Sequence, residues 1–166
     1  MPTDLRTLLQ RDHHDLERGL DELLAPSASL PQIRSALDGV RLGLGAHAEA
    51  QDIVLAHAIA RCAAPEELRE LVARTRVAHL AQEGALAALV CAPPDTSAWR
   101  DRATHLRALV HEHAAYEDRH VIPAIAELAP DLYATLAGAF ATERLRQLAM
   151  LQPSAPIIVP ELAVAS

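Results

Sequence analysis

The chain contains no lysine, and its 15 basic residues, all arginines, face 22 acidic ones for a net charge of −7. An acidic chain without a basic stripe binds nucleic acid and anionic membranes poorly, so we expect neither as a partner. No stretch approaches the roughly 18 apolar residues that a membrane span needs. The first residues carry charges every few positions and offer no apolar signal-peptide segment. We therefore expect a cytoplasmic protein.

Aromatic residues make up only 2% of the chain, and cysteine is limited to Cys62 and Cys91. Two cysteines outside CxxC spacing give no disulfide framework. The hydrophobic fraction is nevertheless 51%, and it consists mostly of alanine and leucine. This composition suits helices and disfavours a sheet. The length of 166 residues is that of a single compact domain.

Apolar residues recur at alternating steps of three and four, which is the spacing of an amphipathic helix, in four long segments. The first segment begins near Thr3, and the second runs from about 32 to 61. The third begins at Pro65, and the fourth runs from a cap among 95–97 to Pro123. A shorter fifth segment covers about 130–150, and Pro123 should kink or end the fourth. We predict an all-α fold over residues 1–150, an up-down-up-down four-helix bundle with a short fifth helix. Residues 151–166 form a proline-rich tail that we interpret as a loosely attached arm.

Histidines interrupt the apolar stripe of each long segment: His13, His47, His79 and His113. An unpaired polar group in a core is costly, so each of these histidines needs a partner. His79 and His113 are each followed four residues later, on the same helix face, by a glutamate, Glu83 and Glu117. A divalent ion removes the cost of burying carboxylate and imidazole together. The pattern therefore predicts a metal site in the core of the bundle.

The donor set indicates which metal the site prefers. Nitrogen and oxygen ligands without thiolates suit iron or manganese, and zinc less specifically. More than four candidate ligands are too many for one tetrahedral zinc and favour two ions.

Four stretches carry a resemblance to a known family: DHHDL around His13, AHAEAQD around His47, AHLAQE from 78 to 83, which contains His79 and Glu83, and HAAYEDRHVIP from 113 to 123. In these stretches the chain resembles the hemerythrin-like, or HHE cation-binding, family over about residues 3–125. The resemblance implies a non-heme di-iron centre inside the bundle that binds or reacts with dioxygen. The ligands it implies are His13, His47, His79 with Glu83, and His113 with Glu117.

The chain departs from the family pattern at Gln51, where a glutamate is expected four residues after the second-helix histidine. A glutamine can coordinate through its carbonyl oxygen, but it is neutral and bridges poorly. Either Asp52 or Glu49 replaces it, with Asp52 nearer the right face, or the second iron is held more weakly. We expect unequal sites. The one that fills first is served by His79, Glu83, His113 and Glu117.

A second departure concerns Glu83, because reversible oxygen carriers of the family have histidine there. A more anionic ligand set favours oxidised iron and hence oxygen activation. We therefore expect a non-heme di-iron oxidase or oxygenase that acts on a small molecule with dioxygen or peroxide, as a monomer or small homo-oligomer. The alternative is a protein that binds or senses oxygen, iron or redox state without turnover.

Several further residues have two interpretations. His14 competes with His13 as the first-helix ligand, and Asp118 competes with Glu117. Tyr116 lies one turn from His113 and is either a donor to a bound oxygen species or an ordinary core tyrosine. His120, one heptad beyond His113, should face inward and touch the site or a substrate, or else be a polar residue near the helix end. Tyr116 and His120 are the catalytic candidates.

Overall fold

The computed structural model describes residues 4–61, 63–94 and 96–152, and within these ranges it is entirely helical, without a strand. The all-α prediction is confirmed. The helices are α1 (Leu5–Leu24), α2 (Leu30–Arg61), α3 (Glu66–Val90), α4 (Ser97–Tyr116), a π-helical turn (Glu117–Val121), α5 (Ile122–Leu128) and α6 (Pro130–Leu151).

Two helices begin at side-chain caps. The Asp4 carboxylate accepts a hydrogen bond of 2.8 Å from the Thr7 amide and so starts α1. Thr3, near which the first segment was expected to begin, lies outside the described residues. Of the three candidates for α4, the cap is Thr96, whose hydroxyl accepts from the Trp99 amide at 3.1 Å. Each cap satisfies an amide that the first helical turn would leave unpaired.

The core consists of two apolar clusters separated by a polar layer. The first cluster contains Leu5, Leu9, Ala50, Leu55, Ala58, Ala64, Leu68, Val121, Ile122, Ile125, Leu136 and Phe140. The second contains Leu16, Leu20, Leu23, Ile33, Val40, Leu44, Leu89, Ala92, Trp99, Ala103, Leu106 and Val110. Along α1, α2 and α3, the buried histidine lies in sequence between residues of the first cluster and residues of the second. On α4, His113 follows residues of the second cluster and precedes Val121 and Ile122 of the first. The histidines therefore occupy a layer in mid-core.

The fourth helix does not stop at Pro123. The amide of Ile122 donates to the carbonyl of Glu117, five residues earlier, and the chain continues as α5. Pro123 has no amide proton to offer, which suits it to a point where the regular pattern is already interrupted. A π turn holds one extra residue and rotates the side chains that follow it. As a result Val121 is buried and His120 is exposed.

The fifth segment forms a helix close to the expected bounds, and α6 packs against α2 and α1. The proposed arm falls almost wholly in 153–166, outside the described residues. Among the helices that are described, none has the length and hydropathy to cross a membrane.

Candidate metal centre

Four buried side chains from α1, α2, α4 and the π turn converge in the polar layer. His13, His47, His113 and Glu117 each place one ligand atom so that all four atoms lie within 4.8 Å of one another. Glu117 is 0% exposed and His47 is 1% exposed. Three imidazoles and a carboxylate at this separation form a group that could hold a metal ion.

Two further side chains adjoin this group. Nε2 of His79 lies 3.1 Å from Nε2 of His113, and the two ring centroids are 4.6 Å apart. The Gln51 amide donates to Oε1 of Glu117. The structure therefore brings six of the seven expected ligand positions into one place.

Carboxylates support two of the imidazoles from outside the group. Nδ1 of His79 donates to Oδ1 of Asp52 at 2.8 Å, and Nδ1 of His47 lies 3.4 Å from Oδ2 of Asp12. A carboxylate at Nδ1 keeps the proton on that nitrogen and leaves the Nε2 lone pair free. Both histidines are thus held in the tautomer that a metal needs at Nε2.

Several polar atoms of the group have no hydrogen-bond partner within the described ranges. They are Nε2 of His13, Nε2 of His47, Nδ1 of His113, Oε1 of Gln51 and Oε2 of Glu117. Nε2 of His13 does lie 3.3 Å from Oε2 of Glu117, but without hydrogen-bonding geometry. Each buried, unsatisfied polar atom costs about 1–3 kcal/mol. A cation among them would satisfy several at once, and the donor set fits one.

The charge state of the group also suits a cation. Burial lowers the pKa of His113 to about 3 and lowers the pKa of His47, so both imidazoles are neutral. Burial by itself would raise the pKa of Glu117, but contact with His13 and the other imidazoles lowers it to about 2. Neutral imidazoles around an ionised carboxylate are the forms that bind metal.

Glu83 does not join the group. It is exposed, and Gln82 is the buried residue after His79 on α3. The buried face of α3 runs Leu68, Thr75, His79, Gln82 and Leu89, so it advances by three residues after His79 rather than by four. This places Glu83 beyond the edge of the core face. The four-residue group accordingly contains His13 and His47 beside His113 and Glu117, and not the expected pair of His79 and Glu83.

Burial decides between the two pairs of alternative ligands, His13 or His14 and Glu117 or Asp118. His14 is exposed while His13 is buried in the group. Asp118 is half-buried and accepts from Arg6 at 3.1 Å and from Gln10 at 2.9 Å, so it faces α1 rather than the group.

The two catalytic candidates lie side by side but in different environments. His120 is exposed, contrary to the inward orientation expected from heptad spacing, because the π turn rotates it outward. Tyr116 is half-buried, and its hydroxyl has no hydrogen-bond partner in the described part of the chain. Their ring centroids are 5.1 Å apart.

Neither candidate replacement for the missing carboxylate enters the group. Glu49 is exposed, and Asp52 is half-buried against Nδ1 of His79. Asp52 therefore orients His79 instead of entering the group.

Two residues of the site were not identified from the sequence. Asp12 is buried on α1, three residues after Leu9 and four before Leu16. Its position within the apolar stripe could therefore have been recognised from the sequence. Arg144 on α6 donates through Nε to Asp12. The sequence of α6 does not identify Arg144 as part of the site, because its contact with Asp12 spans 132 positions.

No family model matches the chain, and neither the curated proteins nor the solved structures contain a significant match to it.

Proposed function

We propose that the polar layer binds iron and that the protein reacts with dioxygen as a non-heme iron oxidase or oxygenase acting on a small molecule, in the manner of the hemerythrin-like family. The observation that carries the proposal is the group of His13, His47, His113 and Glu117, whose ligand atoms lie within 4.8 Å of one another in the core. Its unsatisfied nitrogens and oxygens are donors without thiolate, which suit iron.

The proposal includes the up-down-up-down arrangement of α1 to α4. Along α1 the residues of the first apolar cluster precede those of the second, and along α2 the order is reversed. The order reverses again on α3 and once more from α4 into the π turn. Such alternation is expected when successive helices run in opposite directions through the same two layers.

We further propose up to two ions of unequal affinity. The first is held by the four-residue group, and the second lies beside it, where His79 and Gln51 add two donors. Three imidazoles and one carboxylate would also suit zinc, and the two extra donors are what favours a metal of higher coordination number. Because Gln51 is neutral, the second ion is the weaker one.

Iron, when bound, supplies the electrons for the reaction with dioxygen, and the residues around it hold the ligands in place. Asp52 and Asp12 keep the protons of His79 and His47 on Nδ1. Gln51 donates to one oxygen of Glu117 and leaves the other without a hydrogen bond among the described residues. The unpartnered hydroxyl of Tyr116, one turn from His113, is the proton donor that we propose for the site.

A second candidate function, binding or sensing without turnover, is favoured by the number of carboxylates. Glu117 is the one carboxylate in the four-residue group, since Glu83 is exposed and position 51 is an amide. Fewer anionic ligands stabilise oxidised iron less well, which favours binding over repeated oxidation.

Oxygen uptake by the iron-loaded protein tests the proposal. The protein is loaded with Fe(II) without air, then exposed to oxygenated buffer with ascorbate as reductant. We expect faster oxygen uptake than with free Fe(II). Glu117→Gln should reduce oxygen uptake to the rate of free Fe(II), because the substitution removes the one charged ligand of the group.

The matched control is Glu112→Gln, which removes an exposed carboxylate of α4 five residues before Glu117. It should leave uptake unchanged. Uptake that continues for many equivalents indicates an oxidase, and uptake that stops near one equivalent indicates the binding function. Uptake no faster than that of free Fe(II) would refute both.

A further inference from the structure

A groove of about 610 Å³ lies among α1, α2 and the C-terminal half of α6. Leu16, Leu42 and Leu148 give it apolar walls, and Gly39 with Gly43 keeps the α2 side open. Its size is within the range of small-molecule sites. It is lined by none of the metal-group side chains.

Arg144 gives the groove a hydrogen-bonding group with unused capacity. Its Nε donates to Asp12, and this is its one hydrogen bond to any described residue, so Nη1 and Nη2 remain available. The side chain is 25% exposed and lines the groove. A guanidinium fork matches the two oxygens of a carboxylate.

The other charges of the groove limit which anions fit. Arg18 is paired with Asp15 at 2.9 Å and is thereby compensated. Glu22 also lines the groove, so its charged residues are three acids and two arginines. Because Arg144 is likewise paired, with Asp12, the groove carries one net negative charge. A phosphate or dicarboxylate is therefore repelled more strongly than a singly charged carboxylate, which needs only the two free Nη donors of Arg144.

We propose that this groove binds a small organic monocarboxylate. Its carboxylate is held by Nη1 and Nη2 of Arg144, and its apolar chain lies against the leucines of the wall. This inference goes beyond the proposed function and does not depend on a bound metal. The groove connects to the metal group through Asp12, which contacts both Arg144 and His47.

Binding of hexanoate to the full chain tests the proposal, with hexanamide and hexylammonium as probes of equal length. Chemical-shift titration by NMR should give saturable binding of hexanoate at resonances of the groove. The neutral amide should bind at least about tenfold more weakly, because it cannot form the charge-assisted pair. Hexylammonium should not compete with hexanoate.

Arg144→Gln should weaken hexanoate binding about tenfold or more. The matched control is Arg18→Gln, which removes the other groove arginine, already paired with Asp15. It should change the affinity less than about twofold.

Gly39→Leu tests the site without touching the Asp12–Arg144 pair. A Cβ at Gly39 meets no atom within 4 Å, and Gly39 lines the groove, so a leucine there is expected to occupy groove space. Replacing glycine within a helix also favours folding. This variant should lose hexanoate binding while its helical content stays that of the native chain. Equal binding of all three probes, no saturable binding, or unchanged affinity in folded Gly39→Leu would overturn the proposal.

Discussion

Nε2 of His79 and Nε2 of His113 face each other across 3.1 Å, joining α3 to α4 inside the core. Because Nδ1 of His79 already donates to Asp52, its Nε2 is an acceptor, and the shared proton belongs to Nε2 of His113. Nδ1 of His113 then has neither a proton nor a hydrogen-bond partner among the described residues. A metal ion at this point would replace the proton between the two rings.

Asp52→Asn should weaken metal binding about tenfold or more, the usual effect of losing a carboxylate behind a ligand histidine. The amide oxygen can still accept from Nδ1 of His79, so the fold and the tautomer persist while the imidazole becomes a weaker base. Competition with a chelator measures the change. Asp38→Asn, at an exposed site of the same helix, is the control and should bind metal like the native chain. Equal affinities for the two variants would show that Asp52 does not support the site.

Gln51→Glu should have opposite effects on the metal-free and metal-bound protein. The new carboxylate would meet Glu117, to which Gln51 now donates, and like charges in the core destabilise the metal-free fold. With metal present, the second carboxylate should strengthen the binding of the weaker ion. We expect a lower melting temperature without metal and a higher iron content with it.

The response of oxygen uptake to the same substitution separates a catalyst from a decayed site. A catalyst that uses an open position should gain metal and lose turnover, whereas a decayed site should gain metal and have no turnover to lose. Two indistinguishable iron sites in a titration of the native chain would refute the asymmetry itself.

The metal-free protein should lose stability progressively below pH 6.5. Burial lowers the pKa of His113 from 6.5 to about 3, so the unfolded chain takes up a proton that the folded one refuses. Stability from this group is complete above pH 6.5 and declines as the pH falls towards 3. Glu117, with its pKa lowered from 4.5 to about 2, adds a further loss below pH 4.5. Urea unfolding of chelator-treated protein at pH 7.5, 6, 5 and 4 measures it; a flat profile would contradict the neutral, buried imidazoles.

Helical periodicity predicted the elements of this protein well because leucine and alanine stripes repeat over many turns. It located the buried layer too, since a histidine inside a stripe is conspicuous. It did not distinguish a buried residue three positions after His79 from one four positions after, and so it selected Glu83 where Gln82 is buried. A single π turn after Tyr116 reset the register for His120, and periodicity assumes that no such turn occurs. The pairing of Arg144 with Asp12 depends on tertiary packing that no local pattern encodes.

Tyr116→Phe and His120→Ala should behave differently. Removing the buried, unpartnered hydroxyl of Tyr116 should leave the metal-free protein equally stable or stabilise it by about 1 kcal/mol. It should slow oxygen uptake if that hydroxyl donates the proton. His120→Ala, at an exposed position, should change neither stability nor uptake. Loss of uptake in the His120 variant alone would assign the role to His120 instead.

Metal content of two histidine variants on α4 tests the central claim most directly. His113→Gln alters the buried group, whereas His111→Gln alters an exposed histidine two positions away that pairs with Glu17 at 2.8 Å. Both are produced with iron, their helical content is compared with that of the native chain, and bound metal is determined by elemental analysis. The account predicts that His113→Gln loses most of the metal while His111→Gln retains it. A folded His113→Gln protein with the native metal content would contradict the account.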